Sequence, residues 1–124
     1  MTPAEIAKQL LARFPDAGLI PMLGDKHPRA HLEATHWLDV AAFLHDEATL
    51  QFDWLANLSG IDYPADEKMA VVYDLWSFEL RHRFAVKVFT RRTEPLIPSV
   101  QHIWRAANWH EREAYDMFGI DFSG

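Results

Sequence analysis

Three runs dominate the middle of the sequence: "LQFDWLANLSGI" (50–61), "MAVVYDLWSFEL" (69–80) and "RFAVKVFT" (83–90). Each is apolar and rich in β-branched or aromatic residues, the composition of a half-buried pleated strand. The turn-forming segments "DYPADEK" and "ELRHR" separate them, and an antiparallel meander is the economical reading. The first run alternates, which predicts Phe52, Trp54, Ala56 and Leu58 on one side and Asp53, Asn57 and Ser59 on the other. A sheet of this kind has one face to bury, so the flanking segments must supply its cover.

Those segments read as helices and two shorter strands. Thr2 and Glu5 form a capping-box pair around Pro3, and Ile6, Ala7, Leu10, Leu11 and Phe14 follow as one apolar stripe. Pro15 and Gly18 end that helix. "GLIPML" and "RAHLEA" predict two strands around a turn at residues 24–28, and Pro21 confines the first to a sheet edge. A second helix is expected from His36 to Asp46, with Thr35 as N-cap and Trp37, Val40, Ala41 and Leu44 on its buried face. "TRRTEPLIP" reads as a loop. Ser99 is expected to cap a last helix whose stripe is Val100, Ile103, Trp104 and Ala107. The order α-β-β-α-β-β-β-α predicts a two-layer α+β domain with a mixed or antiparallel sheet and helices on one face, occupying residues 1–124 as a single domain.

Composition narrows the function. A formal charge of -6 argues against nucleic acid and against an anionic membrane surface, both of which need a basic footprint. With no cysteine there is no disulfide, thiolate metal site, Cys-ligated cluster or Cys nucleophile. The five glycines (18, 24, 60, 119 and 124) cannot assemble a dinucleotide or phosphate loop. The charged start "MTPAEIAKQLLARFP" is expected to be neither a signal peptide nor a membrane span.

The stretch "NWHEREAYDMFGIDF" (108–122) concentrates the candidate chemistry. "HEREA" approaches the zinc-protease pattern HExxH, but Ala114 stands where the second histidine must sit one turn on. His110 and Glu113 remain neighbours on a helix and, with Glu111, define a rival reading as a small metal-dependent hydrolase. Glu111 and Glu113 point about 200° apart on a helix, so they do not face one substrate atom. His27, His31 and His36 form a weak metal cluster, no GxSxG elbow marks a serine nucleophile, and Tyr63 and Tyr73 read as core or rim. Gly119 is expected to close the last helix in the left-handed region, with Ile120 folding back toward Tyr115. Asp116 then opposes the helix dipole, and Arg112 is the residue placed to compensate it. A helix running unbroken from Val100 to Phe118 would put Glu111 in the middle of the apolar stripe, which demands a partner or a break near Asn108. These charges read as mutual anchors.

The run "PSVQHIWRAANWHEREAYDMFGIDF" resembles the signature of the respiratory complex I 30 kDa subunit family, whose bacterial members are known as the C subunit. "LANLSGIDYP" and "VVYDLWSFELRHRFAVKV" stand upstream in the family's order, and the resemblance covers residues 35–124. The family pattern continues past this point into a histidine-proline and a basic, leucine-rich tail that helps docking, where this sequence stops at "DFSG". The resemblance implies a non-catalytic subunit of the peripheral arm of a proton-translocating NADH:quinone oxidoreductase, with no turnover of its own. Iron–sulfur clusters, FMN, NADH and quinone would belong to other subunits. The polypeptide would dock on the quinone-site large subunit and cluster-bearing subunits, peripherally at the cytoplasmic face of the bacterial inner membrane. A membrane-bound hydrogenase or formate hydrogenlyase is the alternative assembly. As signature positions with structural or interface roles, the resemblance marks Ser99, Trp104, Ala107, Trp109 and Glu111, and then Arg112, Glu113, Asp116, Phe118 and Gly119.

Overall fold

The computed structural model describes residues 1–24 and 28–123. The meander forms β3 (Trp54–Tyr63), β4 (Lys68–Ser77) and β5 (His82–Arg91), each antiparallel to the next. β2 (Arg29–Glu33) adds to β5 in parallel, and β1 (Ile20–Met22) completes a mixed five-stranded sheet in the order β1-β2-β5-β4-β3. β1 lies at the edge, where Pro21 cannot leave a ladder donor missing. The turn expected at 24–28, with His27, falls largely outside the described residues.

The register divides the sheet into two unlike faces. Val71, Tyr73 and Leu75 of β4 stand opposite Val88, Val86 and Phe84 of β5, and all are buried. Leu55 and Leu58 continue this face on β3, and Ala30 and Leu32 on β2. The three α-helices among the described residues cover it. α1 (Pro3–Arg13) contributes Ile6, Ala7 and Leu10, and α2 (Trp37–Asp46) contributes Trp37, Val40, Ala41 and Leu44. α3 (Ala107–Phe118) adds Ala107 and Ala114. Among the described residues no helix is long and apolar enough to cross a membrane.

Several expectations are corrected. β3 carries a bulge at Ala56, between Leu55 and Asn57, so its alternation changes phase. Leu55 and Leu58 therefore face the core and Trp54 faces out, whereas Phe52 is buried ahead of the strand. A 3-10 turn at Ala34–His36 precedes α2, and Thr35 does not cap it. Leu11 is exposed on α1, although the Thr2–Glu5 capping box is present in full. The segment read as a loop holds β6 (Leu96–Pro98), which pairs in parallel with β7 (Asp121–Ser123) beyond the last helix. The expected order lacks both of these strands.

Candidate functional site

The last helix does not begin at Ser99. Residues 101–103 and 105–106 form two turns, and α3 starts at Ala107. In an unbroken helix residues 100 and 111 would stand about 16 Å apart along the axis, beyond the reach of a glutamate. The break brings them together. Ser99 Oγ donates to Glu111 Oε1 at 2.7 Å, and the Val100 N–H donates to Oε2 at 2.9 Å. Ser99 Oγ in turn accepts from the Gln101 N–H, and the Ser99 N–H donates to the Ser123 carbonyl at 2.7 Å. The Glu111 carboxylate thus ties α3 to the turn segment, and the Ser99 backbone ties that segment to β7.

Glu111 is 6% exposed. Burial raises its pKa, an effect opposed by the Val100 and Ser99 hydrogen bonds and by the charge of His102. Its negative charge is felt deep in the core: Tyr73 is fully buried, and its phenol is pushed up first by burial and then by Glu111. Beside them the Trp37 ring lies 4.5 Å from that of Tyr73 and stacks on Trp104 at 6.2 Å. Trp104 is fixed by its indole N–H, which donates to the Phe52 carbonyl at 2.7 Å.

Phe118 packs on the inner side of the helix, and Gly119 closes its C-terminal end. A Cβ on Gly60 of β3 would come within 2.6 Å of Phe118 Cδ2, so the absence of a side chain there lets the ring lie against the strand. The sequence signal for this contact is a glycine inside a strand run, a feature that periodicity alone passes over. Gly119 takes φ 73°, and its N–H bonds the Tyr115 carbonyl at 2.8 Å. Ile120 is completely buried in the core, and Tyr115 is exposed.

The outer side of α3 is different in kind. Trp109 is 63% exposed, Tyr115 56% and Met117 74%. His110 Nδ1 approaches Glu113 Oε1 at 3.7 Å. Among the described residues Arg112 and Asp116 form no ion pair, which corrects the expectation that Arg112 compensates Asp116. Glu111 alone among the four charges is an internal anchor. The same geometry counts against the hydrolase reading, because Glu111 is committed to Ser99 and Val100 and turned away from the His110–Glu113 side. Among the described residues no group of three His, Asp or Glu side chains is placed to hold a metal ion. His31 and His36 stand on β2 and on the 3-10 turn, and His27 lies outside the described residues.

The last helix of this α+β layer is thus held inward by Glu111, while Trp109, Tyr115 and Met117 are exposed on it together with Arg112, Glu113 and Asp116. The family model for the respiratory-chain NADH dehydrogenase 30 kDa subunit matches residues 30–124, and the chain belongs to that family. The C subunit of NADH-quinone oxidoreductase from Chlorobium phaeobacteroides is 52% identical over 94 residues, covering 75% of this chain and 57% of the relative. Its counterpart in Roseiflexus castenholzii is 41% identical over 124 residues, covering 96% of this chain and 69% of the relative. The sequence therefore spans little more than half the length of the first of these relatives. A solved trypsin-resistant fragment of Nqo5 superposes with a TM-score of 0.82 at 30% identity, covering 99% of this chain and 97% of that one.

Proposed function

We propose that this chain, acting as one domain over residues 1–124, is a non-catalytic structural subunit of a complex I-like NADH:quinone oxidoreductase. It docks on the large subunit that holds the quinone site and lies beside the cluster-bearing subunits. Its place is the peripheral arm, at the cytoplasmic face of the bacterial inner membrane. Flavin, iron–sulfur clusters, NADH and quinone belong to those neighbours.

The observation that carries this reading is the division of α3 into two sides. Inward, Glu111 fixes the helix on the turn segment. Outward, Met117, the most exposed large apolar residue among those described, stands with Trp109 and Tyr115 on one helix, with the charges of Arg112 and Asp116 left for another molecule. Aromatic, Met and Arg side chains are those enriched at protein interfaces. Family membership and the likeness to Nqo5 support the same reading.

Affinity capture of the tagged polypeptide from gently solubilised membranes of its source cell tests it. The large quinone-site subunit and cluster-bearing polypeptides should co-purify, and the chain freed from them should show no visible chromophore. Recovery of the chain alone would overturn the assignment.

A further inference from the structure

The sheet face turned away from the helices is a second candidate surface. Among the described residues, the register places Lys68, Arg83, Lys87 and Arg91 of β4 and β5 on it against one acid of those strands, Asp74, in a chain whose formal charge is -6. Lys68 and Arg91 stand directly opposite each other on β4 and β5, both exposed, and neither forms an ion pair among the described residues. Like charges in facing positions destabilise a sheet. An anion meeting the pair relieves that repulsion.

Aromatic groups frame these cations. Lys87 is almost fully buried, with no carboxylate partner among the described residues; its ammonium donates to the Tyr63 hydroxyl and lies 4.7 Å from the Tyr63 ring centre and 5.5 Å from that of Phe89. The Lys68 ammonium lies 5.7 Å from the same Phe89 ring. At the other end of the face Trp54 is 49% exposed and packs edge-on against Phe78, which is 59% exposed, and Arg83 lines the hollow beside them. Aromatic and arginine side chains with few acids are the makeup of an interface core.

We infer that this open sheet face is a second docking surface, and that its occupant is an acidic, partly apolar surface of a partner polypeptide in the same assembly. Charge complementarity selects that occupant: Lys68, Arg83 and Arg91 are exposed on the face, where carboxylates of a partner can meet them and apolar groups can cover Trp54 and Phe78. Lysines beside aromatic rings also suit single-stranded nucleic acid, but the net charge of the chain opposes a polyanion. The inference rests on the chain having polypeptide partners. It does not depend on what the outer side of α3 meets.

Acetylation footprinting of Lys68, compared between the isolated full chain and the captured complex, tests it, with carbodiimide coupling to identify the facing carboxylate. Lys68 should lose most of its labelling in the complex and couple to an Asp or Glu of another polypeptide. Arg91→Glu should weaken partner recovery by about tenfold, and Arg91→Lys should retain it. Equal labelling of Lys68 in both states, coupling only within this chain, or binding of a labelled single-stranded oligonucleotide that Arg91→Glu abolishes would each overturn it. A complex recovered with Lys68 still open to reagent sinks this inference alone. A chain recovered without partners sinks both this and the proposed function.

Discussion

Ser99 and Glu111, twelve positions apart, meet inside the protein at 2.7 Å, hydroxyl to carboxylate. The contact exists because the backbone turns rather than coils between them, and both residues are buried, so water cannot replace a lost partner. Ser99→Ala should therefore destabilise the protein by about 1–3 kcal/mol in urea unfolding. A change smaller than a few tenths would show that the carboxylate finds another donor.

The protonation of Glu111 gives a signed pH effect. Its folded pKa lies above its ordinary value of 4.5, so the native state holds that proton more tightly than the unfolded chain. Below the ordinary value the group is neutral in both states and costs nothing. As pH rises from there through the raised value, ionisation penalises the folded state. Stability of the wild type relative to Glu111→Gln should accordingly fall as pH rises out of the usual carboxylate range. Chemical denaturation of the two proteins in parallel checks this, and a relative stability that climbs with pH contradicts it.

Gly60 and Phe118 pack so closely that a methyl group added at residue 60 forces the ring to shift. Gly60→Ala should cost about 1–3 kcal/mol by overpacking. Phe118→Leu added to it should recover part of that loss, a coupling that a double-mutant cycle reads directly. Additive losses would mean that the ring was not the obstacle.

The local parts of this architecture are legible in the sequence. The Thr2–Glu5 box, the stripe Trp37–Val40–Ala41–Leu44 and the three-strand meander are written in spacings of a few residues, which is the scale of capping and periodicity. What escapes such a reading depends on distant partners. The parallel pairing of β2 with β5, and of β6 with β7, leaves no nearby turn signal. The bulge at Ala56 shifts a pattern that alternates cleanly on paper. The stripe from Val100 to Phe118 also fits one continuous helix, which would leave Glu111 without the Ser99 and Val100 donors that the break brings to it. The spacing points to Asn108 as the break, whereas the turns end at Ala106 and α3 begins at Ala107. Arg112 reads as an internal counterion by spacing alone, but it makes no such pair among the described residues.

That position leads to a separation of effects. Because Arg112 forms no ion pair among the described residues, Arg112→Ala should change the melting temperature of the isolated chain by no more than a surface substitution does, within about 0.5 kcal/mol of stability. Recovery of partner polypeptides should nevertheless fall. Thermal unfolding beside affinity capture distinguishes the two, and a strongly destabilised free chain would place Arg112 back among the internal anchors.

Assembly by the proposed route requires α3 to face a partner with the side that Glu111 does not hold. The most direct test is the yield of co-purified polypeptides when Trp109→Asp and Met117→Asp are introduced together and the full chain is captured from its source membranes. Both residues are exposed, so the free variant should fold and melt like the wild type while the large-subunit partner is lost from the eluate. A variant that melts normally and still brings down its partners in full yield would contradict the assignment of this helix face.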